Sequence, residues 1–389
     1  MPSGAYTPVF EVRKGGENIT ANFQNRAVSI DVELCSGDGA QDTCTIVVDD
    51  RDWLISRPNV GDAIQVLLGY QEVGTAFMGT FEVDEVVFSY PPKQISIHGN
   101  SLGFVGPIKS QTTRNFEGKT LGEIIKDYAG KLGLSATVDS DLSGLKIPYM
   151  NATNSPMHVF QEFEKLYGGV LKISGGQLTF AKRDSGTTAS GEEMPLVVLR
   201  AEHIANCRVK HVNRGEYSKT VARYKDPTTH TEKSVEAQSS VSDKIVRGED
   251  GQEQSTPFTI TNLFPTKEAA EKAAQAQQAA MDRTLGEGLF TLAQGDPWVR
   301  DGNRLLVTGT RDGIDGSYVT DIVRHSFSHD TGLTSSLSTK APGQGESNFA
   351  TLYEGNPSAA LAPAPGQVVG DVLPQSVDHG NANPAAPAP

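Results

Sequence analysis

The chain has 389 residues, 37% of them hydrophobic, and a net charge of −13. That length allows about two to four domains, and the apolar share excludes global disorder. The acidic balance argues against electrostatic gripping of nucleic acid. No apolar run approaches the roughly 18 residues of a membrane helix, and three cysteines are too few for a disulfide scaffold.

Residues 1–105 read as all-β. Ile64, Val66 and Leu68, Phe81 and Val83, and Ile95 and Ile97 each alternate with neighbours of the other face. That period of two marks half-buried strands. Turn signals at Gly37-Asp38-Gly39, Asn59–Asp62 and Pro91-Pro92 separate them. Met1–Phe10 has neither the basic nor the apolar stretch of an export signal, so no signal peptide is expected.

Residues 106–195 predict a compact α/β unit. Thr120-Leu121-Gly122-Glu123 is a capping box, followed by Ile124, Ile125, Tyr128 and Leu132 at helical spacing. Ser155-Pro156 opens a second helix with Phe160, Phe163, Leu166 and Tyr167 on one face, and Gly168-Gly169 ends it. Val170–Ile173 and Leu178–Ala181 flank a hairpin turn at Gly175-Gly176.

Strands return over residues 196–340, a second β domain interrupted by an Ala-rich helix at 266–285. Ala269, Ala273, Ala276 and Ala280 form a small-residue stripe that lets this helix approach a neighbour closely. The polar stretch Lys225–Gln254 reads as long hairpins or a loop. Residues 341–389 are rich in proline and alanine, contain no Lys or Arg after Lys340, and predict an extended tail. Within it, Phe349, Leu352, Tyr353, Val368, Val369, Val372 and Leu373 are candidates to dock on a partner.

Gly79–Tyr90 and Gly316–Phe327 are alike at a constant offset of 237, with four of twelve positions identical and three more Thr/Ser or Phe/Tyr exchanges. A chance likeness of two hairpins is one reading. The other is a duplicated β domain, with Phe81 matching Tyr318 and Val86 matching Val323.

Catalytic patterns are absent: there is no Gly-x-Ser-x-Gly, P-loop or His-Glu-x-x-His. His325, His329 and Asp330 could begin a metal site, though a surface role is favoured. Asp49, Asp50 and Asp52 around Arg51 could hold a hard cation, against a solvated strand-end loop as the blander reading. Glu192-Glu193 and Glu162/Glu164 could be imagined as glycosidase pairs, with solvated faces the default. Cys35 and Cys44 bracket a turn and are expected to be unlinked thiols. Cys207 reads as a small core residue, and Trp53 and Trp298 as packing at core or rim.

The run Asp52-Trp53…Pro58…Gly61-Asp62…Leu68-Gly69-Tyr70…Gly79-Thr80-Phe81…Val83-Asp84…Pro91-Pro92 resembles the first domain of the phage late control gene D proteins, hub proteins of contractile-tail baseplates. Thr120-Leu121-Gly122…Gly133-Leu134…Gly168-Gly169…Phe180 resembles their central unit. Gly295-Asp296-Pro297…Asp301-Gly302…Gly316-Ser317-Tyr318…His325…Gly332 resembles their closing domain. Asn151…Ser155-Pro156 departs from the usual opening of the second helix. The resemblance covers about residues 5–340.

The resemblance implies a mainly β chain with two tube-like β-barrel domains, 1–105 and 196–340, flanking a small α/β domain, 106–195. It implies a structural homotrimer that adapts a six-fold tail tube to a three-fold central spike, with wedge and tape-measure proteins nearby. DNA would pass through the lumen unbound. Residues 1–105 carry a net −8, and Asp49, Asp50, Asp52, Glu82 and Asp84 are candidates for the acidic lining or its loops. No enzyme activity, metal, cofactor or membrane insertion is implied; the place is the virion tail baseplate, with assembly in the host cytoplasm. The competing classes are a tail-associated peptidoglycan hydrolase and a carbohydrate-binding module.

Overall fold

Period-two alternation becomes strand from the first described residues. The computed structural model describes residues 6–340 apart from 24–25, 37–40, 57, 102–105, 175, 184, 212–216, 218, 227, 240–256, 285 and 312. The tail candidates Phe349, Leu352, Tyr353, Val368, Val369, Val372 and Leu373 therefore lie outside the described residues.

The first β region holds β1 (Pro8–Lys14), β2 (Glu17–Asn18), β3 (Ala27–Cys35), β4 (Thr43–Asp49), β5 (Ala63–Tyr70), β6 (Gly74–Ser89) and β7 (Gln94–Asn100). The central unit holds β8 (Arg114–Thr120), α1 (Leu121–Lys131), β9 (Ser135–Val138), α2 (Ser140–Ser143), β10 (Lys146–Ala152), α3 (Pro156–Tyr167), β11 (Gly169–Ser174) and β12 (Gln177–Lys182). Then come β13 (Leu196–Arg200), β14 (Ile204–His211), β15 (Lys219–Lys225), β16 (Glu232–Gln238), β17 (Pro257–Phe264) and α4 (Lys267–Arg283). The chain closes with β18 (Gly286–Leu292), β19 (Arg304–Thr308), β20 (Gly316–Ser328) and β21 (Gly332–Lys340).

The fold is mainly β with small helical parts, as expected. Its two β regions join in one 13-stranded sheet, in the order β14-β18-β21-β20-β3-β4-β7-β6-β5-β1-β2, with β19 and then β13 branching from β20. The junction is antiparallel pairing of Ile322–Ser328 with Ser29–Cys35.

The duplication is real at the level of strand order. The path β3-β4-β7-β6-β5-β1 is repeated as β14-β18-β21-β20-β19-β13. Both long strands pair first with the preceding strand and then with the following one, and each changes partner at a bulge. The bulge in β6 falls at Asp84, between Val83 and Glu85; that in β20 falls at Asp321, between Thr320 and Ile322. Val86 pairs with Ile97 as Val323 pairs with Leu337. Phe81 and Tyr318 both enter the core. A second pair of bulges matches too, at Val28 in β3 and Ala205 in β14. The last strand differs: β1 runs antiparallel to β5, whereas β13 runs parallel to β19.

The buried residues of the two β regions run together in one cluster among the described residues. Ile30, Ile46, Phe81, Val83 and Ile97 lie in one buried cluster with Phe290, Leu305, Val323, Phe327 and Leu337. The β20–β3 ladder carries the inward face of one half directly into the other, so the sheet encloses a shared core. Further ties cross between the halves. The Tyr70 hydroxyl donates to the Gly295 carbonyl at 2.7 Å. A bulge in β6 at Met78 frees carbonyls from the ladder, and Arg300 donates to those of Phe77 and Met78.

A second core belongs to the central unit. The capping box forms as expected: Glu123 N–H donates to Thr120 Oγ1 at 3.3 Å, and Thr120 N–H donates to Glu123 Oε2 at 2.9 Å. Ser155 caps α3, and Gly168 ends it at φ 66°. The sequence assigns the Ala-rich helix to the second β domain. Its buried face, Ala269, Ala270, Ala273 and Ala274, instead joins Tyr128, Phe160, Phe163, Tyr224 and Phe264 in the central core. A side chain at Gly168 would come within 3.1 Å of Ala276 Cβ, so α3 and α4 meet at small residues. Ala280 is exposed, so the stripe is two residues wide rather than a single row. No helix among the described residues is long and apolar enough to cross a membrane.

Candidate functional site

The three aspartates near Arg51 do not converge on a common point. Asp49 pairs with Arg51 at 2.7 Å, and Asp52 pairs with Arg26. Asp50 is buried rather than solvated, and its Oδ1 accepts the Ile55 N–H at 3.1 Å, so it ties the loop after β4. In β4, Cys44, Ile46 and Val48 point into the core, which sends Asp49 outward. Glu82 and Asp84 lie on the outward side of β6, opposite Phe81 and Val83, and Asp84 accepts from Asn100 Nδ2 at 2.8 Å. An acidic lining built from these residues would therefore use the outer face of the sheet.

Trp53 and Tyr90 are both exposed and meet at 5.7 Å between ring centroids, with Lys93 Nζ 4.9 Å from the indole. Trp298 is half-buried against the shared core.

His325 is wholly buried, contrary to the surface role favoured from sequence. It sits at a position whose neighbours Val323 and Phe327 are core residues, and strand parity could have signalled this. Its Nε2 donates to the Val299 carbonyl at 3.1 Å, so its Nδ1 accepts from Ser335 Oγ at 2.8 Å. His329 lies in the exposed turn beyond. Ser335 Oγ accepts the Asp296 N–H at 3.0 Å. The arrangement has the residue types of a hydrolytic triad but not its chemistry. It engages Asp296 through backbone rather than carboxylate, and neither hydroxyl nor ring reaches solvent.

Burial drives the His325 pKa down to about 4 and that of Asp296 up to about 7. For the histidine the unfolded chain takes up a proton first as pH falls. Stability held by the neutral ring is whole above pH ~6.5 and is lost toward pH ~4. Asp296 titrates alike in wild type and His325→Gln. The stability advantage of wild type over that variant should narrow by about 2 kcal/mol between pH 7 and pH 5 in urea unfolding. An unchanged gap would mean the ring is not held neutral.

The glycosidase pairs dissolve. Glu164 is buried and its Oε1 accepts the Leu171 N–H at 2.7 Å, while Glu162 faces outward beside His158; Glu192 and Glu193 are exposed in a loop. Cys35 and Cys44 are free, and strand parity puts them on opposite faces of the sheet, Cys44 with the core residues Val32 and Ile46. Burial pushes the Cys35 thiol up to about 12. Among the described residues no group of three His, Cys, Asp or Glu side chains is placed to hold a metal.

One charged cluster was not legible in the sequence. Lys172 of β11 reaches out of the central unit to Asp301, 2.5 Å away, and to Asp42, 3.3 Å away. Residues 42, 172 and 301 come from three separate segments, so no local pattern reveals them. Burial raises the Asp42 carboxyl, while the two carboxylates hold the Lys172 ammonium charged. The cluster ties the central unit to the sheet.

Among the described residues the geometry thus offers outward carboxylates, exposed edge aromatics and domain ties rather than a cleft with converging reactive groups. The fold is similar to that of solved phage tail proteins. The tail protein from Neisseria meningitidis MC58 superposes with a TM-score of 0.62 at 14% identity, covering 87% of this chain and 98% of that one. In sequence, the chain is 26% identical over 358 residues to the probable baseplate hub protein of Escherichia phage P2, covering 85% of this chain and 92% of the relative. It is 25% identical over 360 residues to the protein of the same name in Escherichia phage 186, with the same coverage. No protein-family model matches the chain. The likeness to proteins named as probable baseplate hub proteins therefore extends along most of the chain.

Proposed function

We propose that this protein is the structural hub of a contractile-tail baseplate, a homotrimer that adapts a six-fold tail tube to a three-fold central spike. The observation that carries the reading is the internal repeat: one chain presents two copies of the same strand order, so three chains present six. A symmetry mismatch of this kind needs such a duplication. The relatives in phages P2 and 186, named as probable baseplate hub proteins, support the same reading.

The direct partners on this account are the tube protein on one side and the spike protein on the other, with wedge and tape-measure proteins adjacent. On this reading the outward carboxylates Asp49, Glu82 and Asp84 would line the channel and repel DNA phosphates rather than bind them. Phe349, Leu352, Tyr353, Val368, Val369, Val372 and Leu373 would dock the tail on a neighbour or the spike. Assembly would take place in the host cytoplasm and the product would reside in the virion.

Deleting the gene from the phage should abolish assembled tails, and supplying the chain from a plasmid should restore them. A hydrolase would instead leave tails intact, with particles that attach but fail to enter, and the purified chain would clear peptidoglycan in a zymogram. Complete tails without the chain would overturn the proposal.

A further inference from the structure

One loop is tied to both β regions and to the central unit. Residues 295–303 join β18 to β19 and are buried or half-buried throughout. Toward the first β region, the Tyr70 hydroxyl donates to the Gly295 carbonyl at 2.7 Å. Arg300 donates to the Phe77 and Met78 carbonyls at the β6 bulge, to the latter at 3.1 Å. Toward the second, His325 Nε2 donates to the Val299 carbonyl, and Thr320 Oγ1 lies 2.8 Å from the Arg300 carbonyl and 3.0 Å from that of Asn303. Toward the central unit, Asp301 pairs with Lys172. The turn itself is stiff: Asn303 Oδ1 accepts the Arg300 N–H at 2.6 Å, and Gly302 takes φ 78°, which glycine adopts without strain.

Arg300 and Asp301 are neighbours of opposite charge that serve different parts of the molecule. The Arg300 guanidinium donates to two neutral carbonyls, and among the described residues it forms no ion pair. The Asp301 and Asp42 carboxylates nevertheless act on it electrostatically, while Lys172 holds both at 2.5 and 3.3 Å. A guanidinium binds a carboxylate more strongly than it binds a carbonyl, with two parallel bonds available to it. Two cations therefore compete for the same two carboxylates, Lys172 from the central unit and Arg300 from the loop.

We infer that Lys172 and Arg300 form a switch that reports the seating of the central unit to the first β region. With Lys172 seated on Asp301 and Asp42, Arg300 clasps the β6 bulge. With Lys172 withdrawn, Arg300 turns to the freed carboxylates and lets the bulge go. The two states differ in named contacts, and the stiff turn between residues 300 and 303 carries the change. Coupling of this kind is reciprocal: freeing Arg300 from the bulge sets it against Lys172 and loosens the central unit. The effector is any partner that draws the central unit away from Asp301. The switch works within one chain, whatever the number of copies.

Hydrogen exchange on the full-length chain tests the switch, read at residues 65–80 of β5 and β6 on either side of the bulge. Lys172→Met should speed exchange there about tenfold or more, although the Lys172 ammonium is bonded to neither strand. Arg300→Met should do the same directly. The double variant should exchange no faster than Arg300→Met alone, because no guanidinium is left to be drawn away; two independent losses would add. Should Lys172→Met fold poorly, its combination with Asp42→Asn and Asp301→Asn removes the competing carboxylates, and residues 65–80 should then exchange at the wild-type rate. Unchanged exchange at 65–80 in Lys172→Met, additive effects in the double variant, or opening of 65–80 in the charge-free combination would each overturn the switch.

Discussion

Lys172→Ala should cost about 3–5 kcal/mol of stability, the penalty for leaving a buried charge without its partner. Lys172 faces two carboxylates, those of Asp301 and Asp42, and Asp301 is buried. Without the ammonium they repel each other in a poorly solvated junction. The effect should show as a lower urea midpoint, monitored by intrinsic fluorescence and by circular dichroism. The chemistry of the loss has its own signature. Lys172→Met combined with Asp42→Asn and Asp301→Asn removes all three charges and should recover most of the stability, because the charges themselves contribute little net energy. A Lys172→Ala chain as stable as wild type would show that the cluster does not hold the central unit to the sheet.

Phe327→Ala should cost about 3–5 kcal/mol as well, from lost burial and the cavity left behind. Phe327 is 3% exposed, stacks on Phe10 at 5.0 Å between centroids, and pairs with Ile30 across the junction. Because it serves both halves of the shared core, its loss should lower one common transition rather than the second half alone. Hydrogen exchange is the measurement. Amides of β3 and β4 should lose protection together with those of β20 and β21. Loss confined to β20 and β21 would mean that each half keeps its own core.

Local signals were legible where the chemistry is local. The Thr120–Glu123 box, the Ser155-Pro156 cap and the hairpin at Gly176 depend on residues within a few positions of one another, and all formed. The repeat was legible because Asp84 and Asp321 mark the same bulge, which constrains neighbouring side chains. The shared core was not, because the alternation that buries Val323 says nothing about which sheet continues beyond it. The partner of the Ala-rich helix was hidden for a related reason: alanines at positions 269, 270, 273 and 274 state that something packs closely, without stating what. His325 was misread because a polar residue type outweighed its strand parity, although two hydrogen bonds satisfy it fully inside. The carboxylates near Arg51 looked like a cluster in one dimension and point in different directions in three.

The count of copies bears most directly on the hub account, since the repeat matters only if an assembly doubles it. Native mass spectrometry of the full-length chain at tens of micromolar should give a dominant species of three chains, each of 41.5 kDa. Negative-stain images of that species should show rings with six similar lobes. A species of one or two chains, or rings whose lobes number other than six, would contradict the account.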